Sequence, residues 1–251
     1  MPRALGKTAG LLLASLVFLS GCVGLKDGKP PGPWHEAYQP IDDPASEAFF
    51  FQALEKAKAQ FGEPATPVNQ VLFRRSKKTD AAKGFRVGED FSLTQLIDST
   101  NGVFVVYIGV DLDHRNYYPL LGHEAAHLIN ARITDWYMEG IATVFSKEVC
   151  EAAGKGWGDW ERHFSKSRRH PYALSYRMAR DLKAAFPSEY PKLISYATPN
   201  GEWMKIDIDA WIAALPEGRR SEALDLIKPH VKVLSHRVNE QYGFAVPAEL
   251  N

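Results

Sequence analysis

Apolar positions recur along this chain in four regimes. An apolar run, Leu11 to Leu19, interrupted only by Ser15, comes first, followed by helical spacing over SEAFFFQALEKAKAQFG (46–62). Stretches rich in Val, Ile, Phe and Tyr come next, and helical spacing resumes from Tyr117 onward. The 46–62 segment begins on serine, places a glutamate in its first turn and closes on glycine, which predicts a helix. VNQVLFRRS (68–76) and GVFVVYIGV (102–110) predict strands, and the weaker KGFRVGEDFSLTQL (83–96) between them predicts a third strand or a short helical turn. Beyond Tyr117 the helical pattern is interrupted near Ile133, Gly154 to Gly158, Pro171, Pro187, Pro199 to Gly201 and Pro216 to Gly218. A small amino-terminal sheet followed by a mainly helical body is an α+β arrangement.

The leading apolar run changes the picture of where the protein works. Residues 1–21 carry Arg3 and Lys7 ahead of that run, the layout of a secretory signal and too short for a spanning anchor. The run ends in LSGC (19–22), which resembles a bacterial lipobox. That resemblance implies cleavage before Cys22, its lipidation and a membrane anchor without a spanning helix. Val23 in place of Asp implies an outer-membrane address in the bacterial envelope, facing the periplasm or the exterior. Residues 22–45, rich in Pro, Gly and charge and without a sustained period, read as a flexible tether. Residues 46–251 then form one domain, at 45% hydrophobic composition for the chain as a whole.

Charge excludes one class of partner. Removing residues 1–21 takes two bases from 30 and no acid from 30, leaving 28 against 30 and a formal charge of −2. Nothing in that balance is a nucleic-acid footprint, and the short basic run SKSRRH (165–170) reads as solvated surface. Besides Cys22 there is only Cys150, so no disulfide framework is expected.

Candidate chemistry lies in NYYPLLGHEAAHLINAR (116–132). On a helix His123 and His127 stand one turn apart on one face, where both imidazoles reach one ion. Glu124 projects about 100° further round, within reach of a water at that ion, which is why zinc hydrolases of the HExxH type use this spacing. A catalytic zinc takes three protein ligands, and Asp135, Glu139 and Glu148 are the downstream candidates. If the chain reverses near Ile133, Glu139 returns to the level of His127, while Asp135 falls too near the turn and Glu148 passes beyond the histidine helix. Glu139 is therefore the expected third ligand. Thr134 is the expected N-cap of the returning helix, Asp135 sits in its first turn, and Gly140 is expected to let the two helices approach.

HEAAH followed by WYMEGIA (136–142) resembles the gluzincin metallopeptidases, in particular short-spaced peptidase MA-like families with HExxH, a short turn and W-x-x-E-G-x-A. The resemblance is dense over about twenty residues and implies a zincin-like fold and a zinc-dependent peptidase acting on peptides or proteins. It implies zinc on His123, His127 and Glu139, with Glu124 as general base. The further oxyanion donor that such enzymes carry would come from HPYALSYRMARDL (170–182), with Tyr172, Tyr176 and His170 as candidates. Tyr172 and Tyr176 read equally well as core aromatics. The strand 102–110 is expected either to offer its edge to an extended peptide or to lie in the sheet interior. Asn130 is either a neighbour of the site or a helix-end residue. His35, His114, His163, His170, His230 and His236 read as surface or satisfied core histidines, and Glu148 and Asp135 as surface or capping carboxylates. The helices between Ser188 and Tyr242 read as a cleft wall or a docking surface. A different functional class, a lipoprotein that binds peptides or envelope components on a zincin scaffold without turnover, would not need Glu124.

Overall fold

Asp43 starts the first helix. In the computed structural model, which describes residues 38–76, 92–236 and 243–251, strand β1 (Tyr38–Pro40) leads into helix α1 (Pro44–Phe61). The Asp43 carboxylate accepts the Ser46 amide at 3.0 Å, and Pro44 occupies the first turn, where its missing N–H costs nothing. The helix thus begins two residues before the expected Ser46. Ser46 is buried instead, accepting a 2.9 Å hydrogen bond from the Tyr117 hydroxyl. Residues 38–45, which the composition placed in the tether, accordingly belong to the folded body. The signal segment, Cys22, His35 and the rest of the tether lie outside the described residues, as does the 77–91 stretch. No helix among the described residues is long and apolar enough to cross a membrane.

Strands β2 (Gln70–Ser76), β3 (Leu93–Asp98) and β4 (Val103–Ile108) complete a sheet in the order β1-β2-β4-β3. β4 pairs parallel with β2 and antiparallel with β3, so it is an interior strand and offers no edge to a peptide. Its continuous apolar run is that of a strand covered on both faces. Phe104, Val106 and Ile108 join the helical core, whereas Val105 and Tyr107 join Tyr38 and Leu93 on the opposite face. β1 and β3 are the two terminal strands of this order.

Helix α2 (Tyr117–His127) packs between α1 and α3 (Trp136–Ala152). It ends at His127, short of the expected Arg132, and residues 128–135 form the turn. Two glycines set the spacing of the helices around it. A Cβ on Gly122 would stand 2.8 Å from Val149 Cγ2, so Gly122 is the residue that lets α2 approach α3. A Cβ on Gly140 would stand 2.4 Å from the Ser175 carbonyl oxygen, on helix α5 (Pro171–Ala185). Gly140 therefore serves the α3–α5 contact, a correction to its expected role between α2 and α3.

Helix α4 (Gly158–Lys166) precedes α5, and a 3₁₀ turn (Tyr190–Tyr196), a hairpin of β5 (Ala197–Asn200) and β6 (Trp203–Ile206), α6 (Ile208–Ala214) and α7 (Arg220–Ser235) follow. The Pro199 to Gly201 interruption is the end of β5 and the start of the β5–β6 hairpin turn, where Gly201 takes φ +65. The chain is thus mixed α and β, with most of its helix after the sheet.

Candidate metal centre

The turn between α2 and α3 is fixed by partners distant in sequence. Thr134 donates its amide to the Met204 carbonyl, and its own carbonyl accepts the Gly243 amide. Trp136 donates its amide to the Gly243 carbonyl, and the Tyr137 hydroxyl reaches the Ala245 carbonyl at 2.9 Å. Asp135, not Thr134, is the N-cap of α3: its carboxylate accepts the Met138 amide at 2.8 Å and the Ile206 amide at 2.5 Å. Thr134 has both backbone groups engaged in bridging, which leaves the next residue to cap. Burial pushes the Asp135 carboxyl up to about 6. Asn130 lies in the turn beyond the end of α2, its side chain accepting the Arg132 amide and donating to Met204 Sδ.

With the turn so held, Glu139 returns beside both histidines. His123 Nε2 lies 3.2 Å from Glu139 Oε2, His127 Nε2 lies 3.7 Å from Glu139 Oε1, and the two Nε2 atoms are 3.1 Å apart. All three residues and Glu124 are at most 1% exposed. Burial pushes the imidazoles down, His123 to about 3 and His127 to about 4, so neither contact with Glu139 is an ion pair near neutral pH.

Thr143 donates its hydroxyl hydrogen to the Glu139 carbonyl at 2.7 Å, so its 3.4 Å contact with His123 Nδ1 requires the hydrogen to sit on Nδ1. His123 Nε2 then carries a lone pair toward His127 and Glu139. His127 Nδ1 has no hydrogen-bond partner among the described residues. Two imidazole nitrogens and a carboxylate therefore converge within 4.8 Å of one another, the only such group of three among the described residues. Buried Lewis bases facing each other are satisfied by a cation, and a two-histidine, one-carboxylate set fits a divalent metal ion.

Glu124 sits beside this group. Its Oε2 receives the Thr94 hydroxyl at 2.9 Å and its Oε1 has no partner among the described residues. Burial and the neighbouring Glu139 carboxylate push its carboxyl well above the ordinary range, against the Thr94 hydrogen bond. On the other side the Trp160 ring stands edge-on to His123 at 6.4 Å. Thr94, Thr143 and Trp160 were absent from the sequence reading; only the i+4 spacing of Thr143 from Glu139 was available to signal any of them.

The remaining candidates are placed as follows. The Tyr176 hydroxyl points to the Glu161 carboxylate, at 3.4 and 3.5 Å, and its ring packs on Trp157 and Phe164, which is the core reading of that residue. Tyr172 meets Trp136 edge-on at 5.2 Å and His170 at 5.9 Å. His170 and His163 face each other at 5.2 Å, and His114 Nδ1 accepts the Asn116 amide. Glu148 is paired with Lys183 on the surface. Comparison with family models, with curated proteins and with solved structures gave no match to this chain.

Proposed function

We propose that this protein is a zinc-dependent peptidase of the gluzincin type with a zincin-like fold, anchored through Cys22 to the bacterial outer membrane. The observation that carries the reading is the convergence of His123, His127 and Glu139 in a buried cluster with Glu124 alongside. Zinc held by those three residues would supply Lewis acidity, polarising a scissile carbonyl and acidifying a water. Glu124 Oε1 takes a proton from the attacking water and gives it to the leaving amine nitrogen, so that water and amide become acid and amine. Trp160 and the surrounding core exclude bulk solvent from His123. Tyr172, on the helix that packs behind Glu139, remains the candidate for a further oxyanion donor. An extended peptide would add to β3, the terminal strand that lies beside Glu124 through Thr94, in place of the expected 102–110 strand. The anchor and its address rest on the LSGC tetrapeptide and Val23.

The test is metal content and peptide hydrolysis of the purified chain, with Glu139→Ala and Glu124→Gln alongside. Near-stoichiometric zinc in the parent, much less in Glu139→Ala, and full zinc with hydrolysis lowered by about 100-fold or more in Glu124→Gln is the expected outcome. A folded parent that takes up no zinc ends the peptidase reading. One that binds zinc and peptides but cleaves none across a peptide library is a binding lipoprotein instead.

A further inference from the structure

Glu124 is held from one side only, and the residue that holds it comes from the sheet. Thr94 lies on β3, thirty residues before Glu124 in sequence, and both are 0% exposed. Its Oγ1 stands 2.9 Å from Glu124 Oε2 and 3.0 Å from the main-chain oxygen of the same residue. A hydroxyl has a single hydrogen, so Thr94 donates to one of these acceptors at a time. Both belong to residue 124, and either choice ties the edge strand to the motif helix at that point. The other carboxylate oxygen, Oε1, is buried and has no partner among the described residues.

We propose that Thr94 is a positioning residue for the general base: by holding Oε2 it presents Oε1 as the one oxygen that takes up and releases the proton. This rests on the peptidase reading. A carboxylate free to rotate would offer either oxygen and sweep through misaligned positions, and displacement by about 1 Å at a reacting group can cost about 100-fold in rate. A threonine that merely joined β3 to α2 would instead affect stability and leave turnover by folded protein alone.

The two roles separate in the zinc-loaded full chain assayed on a fluorogenic peptide library, with kcat expressed per bound zinc. Thr94→Val keeps the side-chain shape and removes the hydrogen. The expected result is a kcat lowered by about 100-fold, with KM and zinc stoichiometry unchanged and most of the rate restored in Thr94→Ser. In a Glu124→Gln background Thr94→Val should subtract nothing further from the residual rate. As a readout independent of turnover, Thr94→Val, Glu124→Ala and the double variant are compared in urea unfolding of the metal-free chain, where non-additive midpoints are expected. Parental kcat in Thr94→Val, a further loss in the Glu124→Gln background, or additive midpoints would each overturn the proposal while leaving the peptidase reading intact. A parent that loads zinc but hydrolyses no member of the library removes the peptidase reading, and the proton-transfer role of Thr94 with it.

Discussion

His127 and His230 make an instructive pair. Both imidazoles are buried, at 0% and 7% exposure, both have an Nδ1 without a hydrogen-bond partner among the described residues, and burial holds both down at about 4. Their surroundings differ. His127 faces His123 Nε2 at 3.1 Å and Glu139 at 3.7 Å, whereas the charges acting on His230 are Arg177, Arg180 and Asp181 of α5. One imidazole is among lone pairs that call for a cation, and the other is beside guanidinium groups that repel one. Burial and an altered proton affinity are therefore common to a site and to ordinary packing, and the convergence of donors separates them.

The sharpest way to break this comparison is at Glu124. Glu124→Gln should lower kcat by about 10²–10⁴-fold with zinc retained, while His230→Leu should change neither zinc content nor kcat per zinc; loss of metal in His230→Leu would erase the distinction. The next effect is pH-dependent. The unfolded chain protonates His230 near the ordinary 6.5 and the folded chain only near 4, so the unfolded state binds the extra proton between those values. Stability contributed by the neutral ring is complete above 6.5 and falls as pH drops toward 4, by about 3 kcal/mol for this shift. The difference between parent and His230→Leu unfolding midpoints, followed from pH 7.5 to 4, should show that slope.

Smaller effects test the helical packing behind the site. Gly140→Ala should cost about 1–3 kcal/mol through overpacking against α5, and Gly156→Ala, where a Cβ meets nothing within 4 Å, should leave urea stability nearly unchanged. The smallest change is expected of Tyr176→Phe, a loss of about 0.5–1 kcal/mol with kcat per zinc at the parental value. A large fall in its kcat would bring the α4–α5 aromatics into the site.

The parts legible in the sequence were those set by helical periodicity. His123 and His127 follow from a four-residue step on one helix, and Glu139 follows from reflecting that helix about a turn. What a third element contributes was not legible. Gly140 has a close-packing role that its residue type announces, but α5 as its neighbour is a matter of tertiary arrangement. β4 reads equally well as an edge or an interior strand until the order β1-β2-β4-β3 is known, because apolar content records burial and not neighbours. Thr134 and Asp135 are both good capping types, and the choice between them is made by Met204 and Gly243 taking the backbone of Thr134. Thr94 was invisible for the same reason: a threonine in a strand carries no mark of the helix it touches.

The tie between the α2–α3 turn and its remote partners bears on the order of events during synthesis. Asp135 waits for the Ile206 amide 71 residues later, and Tyr137 for the Ala245 carbonyl 108 residues later. Contacts this long in sequence form late, since the loop entropy must be met before they contribute. A growing chain that has only reached α5 already contains HEAAH and Glu139, yet lacks the amide and carbonyls that set the turn between them. The motif can be spelled out long before it is assembled, and a nascent or broken chain carries its letters without the convergence of His123, His127 and Glu139.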